Sequence, residues 1–281
     1  MNTGTPFITI IVALLNRSRT FQRCLDSITG QTYSGWELIV QDGGSTDGGV
    51  EILKANAHSI AYWESGPDKG SIDAVNKAIR RARGEWIYIL GSDDYLWDSS
   101  VLDRMVPHLR RAYPPCRIVY GRLAFVLDDG QVLEYLGEPW EQCKRQFIQG
   151  RMLPGPAVIY HRSVFDVHGL FDLSFNVGGD YELLLRELRK GEAFFVPDTV
   201  VAGFRYGGQS SVPENALSNL FAVRRAQRKN GIRFPSVLWI GWLLKVYLRL
   251  VLWWLLGAER AKHVLDWGRA LWGKGPFWTR I

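Results

Sequence analysis

Cysteine is scarce in this chain, and the few present are spaced for neither a metal site nor a disulfide framework. Cys24, Cys116 and Cys143 form no CxxC pair and, being three, cannot all be bridged. That argues against a zinc site and for reduced thiols in a cytoplasmic compartment, where burial as small hydrophobes is their simplest role. No internal repeat or low-complexity segment is present, so repeat arrays are set aside. Phosphate-loop and dinucleotide signatures are also missing: the glycine-rich stretch from Asp42 to Gly49 is neither GxxxxGKS/T nor GxGxxG. The apolar stretch 7–15 is too short to span a bilayer and no basic residue precedes it, so it does not read as a signal peptide. Acidic residues nearly vanish over 217–281, which hold two against twelve Lys and Arg, whereas 1–216 hold 26 against 22. The formal net charge of +6 therefore belongs to the tail.

Hydrophobic residues make up 47% of the 281 positions, enough for a sizeable core in one large or two small domains. The runs 7–15, 36–40, 60–63 and 86–90 are apolar and of strand length, the pattern of strands covered on both faces of a parallel sheet. Between them helical spacing recurs at Phe21, Leu25 and Ile28, in a segment through Leu53, and at Ile72, Val75, Ala78, Ile79 and Ala82. Strand and helix in alternation predict βαβ units. Farther along, the pattern predicts a helix over 101–105 and a hairpin of 117–127 with 131–135 about the turn Asp128-Asp129-Gly130. It then predicts a loop over 137–154, a strand at 157–160, and a helix starting near Asp180 with Leu184 and Leu188 on one side. The stretch 203–211, with Arg205 and Tyr206, is expected as a loop on the phosphate or acceptor side.

Each of the first four strands ends in residues fit to bind a ligand: Asn16 and Arg17, Asp42 and Asp47, Asp68 and Lys69, Asp93 and Asp94. Open α/β sheets bind ligands in the crevice outside the carboxyl ends of their strands. Adjacent carboxylates repel, so a fold that fixes Asp93 beside Asp94 has use for a cation, and oxygen ligands favour Mg2+ or Mn2+. Taken alone, the pair is equally compatible with a helix N-cap. Asp180, after Gly178-Gly179 and ahead of a helix, taken alone reads as a cap as well, and His161 and His168 read as structural.

Three motifs occur in order: Asp42-Gly43-Gly44-Ser45-Thr46-Asp47-Gly48, then Glu64-Ser65-Gly66-Pro67-Asp68-Lys69-Gly70 leading into Ser71 to Ile79, then Gly84-Glu85-Trp86-Ile87 through Ser92-Asp93-Asp94. Over about residues 7 to 206 the chain thereby resembles glycosyltransferase family 2. The resemblance implies the GT-A fold, an α/β architecture with a Rossmann-like, mostly parallel central sheet flanked by helices. It implies inverting, metal-dependent transfer of a sugar from a nucleotide-sugar, with Mn2+ or Mg2+ as cofactor. It further implies that Asn16, Asp42 and Asp68 bind the donor, Asp42 accepting the N3–H of a base such as the uracil of a UDP-sugar. By the same resemblance Asp93 meets the ribose and Asp94 a metal bridging the diphosphate. Asp180 is then the base that takes the proton from an acceptor hydroxyl attacking the anomeric carbon. Leu15 stands where relatives often carry an aromatic residue, so stacking on the base is not expected there. The QxxRW motif of processive members is absent, which implies one sugar per acceptor.

After Pro213 the composition changes, and seven of the twelve tryptophans fall at or after position 239. A helix is predicted over 217–229, with Arg224, Arg225, Arg228 and Lys229 on its later turns. The stretch 237–256 is nearly all apolar apart from Lys245 and Arg249, four apart and so on one helical face. Its twelve Leu, Ile and Val contribute roughly −4 to −7 kcal/mol to insertion, and two central cations cost roughly +5 to +7 kcal/mol. A helix lying in the interface is the expectation, with packing on the catalytic domain or a partner as the alternative.

The expected organisation is a GT-A catalytic domain over 1–212 (donor half about 1–97, acceptor half about 98–212) and a basic, amphipathic, membrane-associating region over 213–281. Expected partners are a UDP-sugar, a saccharide or polyprenyl-diphosphate-linked acceptor of bacterial surface-polysaccharide type, and the membrane surface through 217–281. Nucleic acid is not expected, because aliphatic helices rich in indole suit bilayers better than phosphate tracks. The expected location is the cytoplasmic face of the cell membrane, held peripherally. Two rivals stand: a nucleotidyltransferase, whose glycine-rich basic triphosphate loop 13–19 does not supply, and a membrane protein that binds a nucleotide-sugar without turnover.

Overall fold

A computed structural model describes residues 5–206 and 215–280. Its first half runs β1 (Ile8–Leu14), α1 (Ser18–Thr29), β2 (Trp36–Asp42), α2 (Gly49–Ala55), β3 (Tyr62–Ser65), α3 (Ser71–Arg81) and β4 (Trp86–Gly91). The strands lie in the order β3-β2-β1-β4 and all pair in parallel, so their carboxyl ends share one edge. Successive side chains of a strand point to opposite faces: Ile10 and Val12 join the core packed by Phe21 and Leu25 of α1, and Ile11 joins the core packed by Val75 and Ala78 of α3. Gly84 is required where β4 begins, since a Cβ there would lie 2.4 Å from the Thr9 amide nitrogen.

The second half continues with β5 (Tyr95–Leu96), α4 (Val101–Ala112), β6 (Cys116–Val126), β7 (Val132–Leu136), α5 (Trp140–Ile148), β8 (Val158–His161), α6 (Ser163–His168), α7 (Gly179–Leu188) and β9 (Glu192–Arg205). β8 pairs antiparallel with both β4 and β6, β6 pairs in parallel with β9, and β5 and β7 add antiparallel to β9 and β6. The sheet is thus parallel in the first half and mixed in the second. Because β8 opposes β4, the residues just ahead of β8 come to the edge where β4 ends.

Two elements depart from the sequence expectation. The stretch 137–154 contains α5, whose Trp140, Cys143 and Phe147 are buried at helical spacing amid Glu141, Lys144 and Arg145; so narrow an apolar seam on a short charged segment leaves little periodic signal. β9 is 14 residues long although Pro197 lies inside it. A proline in a strand is tolerated at an irregularity, and here the partners of β6 jump from Tyr120↔Phe195 to Arg122↔Val200. Gly203 and Arg205 accordingly end a strand rather than form a loop, while 207–211 of that expected loop, and the expected domain boundary at 212, lie outside the described residues.

The tail divides in two. α8 (Ala216–Lys229) buries Val223, Ala226 and Gln227 and packs against α7, with Ala222 so close that a Cβ at Gly178 would lie 3.2 Å from its own. Buried Arg224 donates to the carbonyls of Ile232 (2.9 Å) and Arg233, shaping the link to α9 (Val237–Ala270). Ser236 caps α9 through Trp239 N (3.1 Å) and donates to Gln149 O (2.8 Å), and the Trp239 indole donates to Leu220 O (3.0 Å). Beyond that anchor α9 leaves the body. Val237, Ile240, Leu244, Leu248, Val251 and Leu255 are exposed along one side, with Tyr247, Leu250, Trp254 and Leu256 exposed on the rest of the helix, and at 100° per residue Lys245 and Arg249 fall beside the aliphatic stripe rather than within it. Gly257 (φ 74°) breaks the helix, and residues 277–280 fold back so that Phe277 stacks on Phe125 at 6.0 Å.

Candidate active site

The parallel half places Asn16, Asp42, Asp68, Asp93 and Asp94 along a single edge, Asp42 as the last residue of its strand and the others just past the ends of theirs. The first two loops are stitched together there. Asn16, in the left-handed region (φ 50°), accepts from Thr46 N at 2.9 Å and donates its own amide to Ser45 Oγ at 2.9 Å. Asp47 accepts from Ser18 N (2.8 Å) and Gly49 N (3.1 Å), and these hydrogen bonds, working against a smaller burial effect, hold its pKa below the usual carboxylate value.

Asp42 is fully enclosed. One oxygen accepts from the amides of Gly44 (3.1 Å) and Ser45 (3.0 Å) and from Ser65 Oγ (2.6 Å), while the other accepts from Ser45 Oγ. Asp68 is half-buried over Gly43, where a Cβ would lie 2.7 Å from its Oδ2, and it accepts from Gly70 N at 2.8 Å. Between these two carboxylates, Asp42 organises the loops and Asp68 is the one with open surface.

Asp93 and Asp94 converge over Gly91: a Cβ there would sit 3.1 Å from Asp93 Oδ1 and 2.6 Å from Asp94 Oδ2. Asp94 is 4% exposed. Burial first, and then the neighbouring Asp93 charge, push its pKa well above the carboxylate range, offset only in part by the amide of Arg205 at 3.1 Å. Asp93 lies 3.8 Å from Arg17 Nε. No group of three or more His, Cys, Asp or Glu able to hold a metal occurs among the described residues, so the protein offers these two carboxylates. That donor set fits Mg2+ or Mn2+, which bind through one or two carboxylates and complete their octahedron with water and phosphate oxygens.

Asp180 stands on the first turn of α7, half-buried, its Oδ2 3.1 Å from where a Gly155 Cβ would be. Burial raises its pKa above the ordinary carboxylate value against the opposing amides of Tyr181 and Asp180 itself. Gly155 and Pro156 form the turn ahead of β8, and the Tyr88 hydroxyl donates to Pro156 O at 2.8 Å. Tyr88 in turn is close enough to Asp94 for that carboxylate, after burial, to raise its pKa. Asp180 thus sits beside the 155–156 turn, which the antiparallel pairing of β8 with β4 brings to the strand end that carries the paired acids.

Arg205, expected from the sequence on the phosphate or acceptor side, makes contacts that the sequence did not disclose. Its amide binds Asp94 across 111 positions, and its guanidinium pairs with Asp128 in the β6–β7 turn (Nη2 to Oδ2, 2.7 Å). No short-range spacing encodes that contact; the signal was the placing of Arg205 in the stretch expected on the phosphate or acceptor side.

A parallel α/β half ending in paired carboxylates, joined to a mixed half that adds a further acid, defines a GT-A-type glycosyltransferase. The sequence matches the profile of glycosyl transferase family 2 over residues 9–166, and the chain belongs to that family. It is 28% identical over 188 residues to a PGL/p-HBAD biosynthesis glycosyltransferase of Mycobacterium bovis, covering 65% of this chain and 70% of that protein. It is 32% identical over 186 residues to an uncharacterized glycosyltransferase of Mycobacterium tuberculosis, covering 66% and 70%. Among solved structures, the mannosyltransferase PcManGT from Pyrobaculum calidifontis in complex with GDP-Man and Mn2+ superposes with a TM-score of 0.66 at 21% identity, covering 99% of this chain and 84% of that one. S. aureus TarS 1–349 in complex with UDP-GlcNAc gives 0.59 at 16% identity, covering 78% and 66%.

Proposed function

We propose that the protein transfers a single sugar, with inversion, from a nucleotide-sugar to a saccharide borne by a membrane lipid. The observation that carries this reading is the meeting of Asp93 and Asp94 over Gly91 with Asp180 beside the adjoining 155–156 turn. Asn16, Asp42 and Asp68 bind the nucleoside; for Asp42 this calls for the hydroxyl of Ser45 or Ser65 to give way to the base N–H. UDP is the favoured nucleotide, in line with the UDP-GlcNAc complex of TarS, and the GDP-Man complex of PcManGT marks the alternative.

Asp94 would hold Mn2+ or Mg2+, which would supply charge neutralisation on the departing diphosphate, with Asp93 beside it meeting the ribose. The chain's own residues do the rest. Arg17, near Asp93, adds positive charge on the diphosphate side, and the Arg205 amide holds Asp94 in place. Asp180, its proton affinity increased by burial, accepts the proton of the acceptor hydroxyl as that oxygen attacks the anomeric carbon.

Membrane attachment belongs to the same reading. α9 is the one helix among the described residues long and apolar enough to cross a bilayer. Its exposed stripe, with the cations set to one side, suits a helix lying in the interface on the cytoplasmic face. Asp180→Asn and Asp94→Ala should each abolish sugar transfer while leaving the melting transition in place. Retained turnover in either variant would overturn that residue's role, and binding of UDP-sugars without any turnover in the unaltered protein would favour a non-catalytic binder.

A further inference from the structure

One basic concavity lies outside the carboxylate cluster. Phe221, Arg224, Arg225, Arg228 and Lys229 follow at three- and four-residue spacing along α8 and line it. Arg225 and Lys229 both lie over the Phe175 ring, at 4.6 and 5.9 Å from its centre. Arg225 spends one donor on Ser174 O (2.8 Å), and its remaining guanidinium donors stay in solvent. Arg228 is exposed and has no ion pair among the described residues. Among the described residues the acids nearby are Asp172, paired with Lys229 at 2.5 Å, and Glu182, which is buried and lies 2.9 Å from Arg186 and 3.9 Å from Lys229. Positive charge is therefore in excess, and planar guanidinium forks on one helical face match phosphate oxygens.

The surroundings say which phosphate. On one side the Phe221 ring meets Trp239 of α9 edge-on at 6.1 Å, where the exposed apolar stripe begins. On the other, Ala222 abuts Gly178, two residues ahead of Asp180. We infer that this concavity holds the phosphate or diphosphate head of the lipid that carries the acceptor saccharide. The lipid tail then lies in the bilayer along α9, and the saccharide extends toward Asp180. This inference builds on the membrane attachment and lipid acceptor proposed above, and its test separates the two.

The full chain is sedimented with three kinds of vesicle: phosphatidylcholine alone, phosphatidylcholine with polyprenyl diphosphate, and phosphatidylcholine brought to the same charge with phosphatidylglycerol. Polyprenyl diphosphate should tighten binding beyond the charge-matched vesicles. R225Q/R228Q should remove that gain, roughly 25-fold in apparent Kd since each basic residue near the surface contributes about a factor of five, with binding to phosphatidylcholine unchanged. R228Q alone, which disturbs no protein hydrogen bond recorded for the described residues, should remove part of it. Equal binding to the charge-matched vesicles, a gain retained in R225Q/R228Q, or full competition by inorganic pyrophosphate would each overturn the lipid-phosphate site while leaving α9 as the anchor. Failure of the unaltered protein to bind any vesicle would overturn the anchor as well.

Discussion

At the residue scale, Asp94 and Asp180 are both carboxylates that burial makes reluctant to ionise, and the surroundings turn this to different ends. Asp94 has Asp93 beside it and only one amide in compensation, so cation binding relieves an unfavourable charge. Mn2+ with UDP should raise the melting temperature of the unaltered protein by several degrees and that of Asp94→Asn by little, since a ligand stabilises only the state it binds. Asp180 works as a base only when ionised. Its folded pKa is above the ordinary carboxylate value, so kcat should fall as pH drops through that raised value, at higher pH than a solvent-exposed aspartate would require. Stability has the opposite sign: the neutral carboxyl is favoured by the fold below the unfolded pKa, and that contribution is lost as pH rises through the folded one. A pH–rate profile flat down to the ordinary range of an aspartate would count against the base assignment. Much of this was legible in the motifs, because the family pattern names 42, 93, 94 and 180. The closure of Asp42 by Ser45 and Ser65 was not, since hydroxyl partners three and 23 positions away leave no periodic trace.

At the scale of elements, the strap after α9 gathers its amides on one carboxylate while Phe277 stacks on Phe125. Asp266 accepts from Phe277 N (2.8 Å), Trp278 N (2.9 Å), Thr279 N (2.8 Å) and Thr279 Oγ1 (2.6 Å). Burial opposes its ionisation, but those donors outweigh burial and hold its pKa down to about 2. A depressed carboxylate stabilises the fold above its unfolded pKa and loses that contribution as pH falls through the folded value. The strap should therefore loosen between about pH 4 and pH 2, a contribution of about 2 kcal/mol. Asp266→Ala should speed hydrogen exchange at 277–279 at neutral pH, and unchanged protection there would mean the strap is held by Phe277 stacking on Phe125 instead. α5 and β9 are the elements least visible from sequence, one for want of a broad apolar face and the other because Pro197 interrupts its run.

At the scale of the whole molecule, α8 belongs with the catalytic body and α9 carries the exposed apolar surface. A chain ending at 216 would remove Val223, Ala226 and Gln227 from their buried contacts, and a fully buried aliphatic side chain contributes about 2 kcal/mol. Such a chain should lose its cooperative melting transition. Leu244→Glu combined with Leu248→Glu, both exposed at 63% and 60%, should instead keep the fold and stop sedimentation with vesicles; persistent sedimentation would place the anchor elsewhere.

Local sequence determined a great deal of this protein. Strand-length apolar runs alternating with helical spacing dictated the βαβ half, and the acids at the strand ends followed from parallel strands finishing on one edge. The Asp-Gly turn dictated the β6–β7 hairpin, and the acid-poor, tryptophan-rich tail announced an apolar helix. Tertiary structure alone decided what depends on pairing across distance. That includes β8 running against β4 and so bringing the 155–156 turn to the paired acids, the Arg205 amide reaching Asp94, and α8 packing on α7. The physical reason is range: hydrophobic periodicity and turn chemistry act over a few residues, whereas these contacts form only once loop closure has brought distant segments of the chain together.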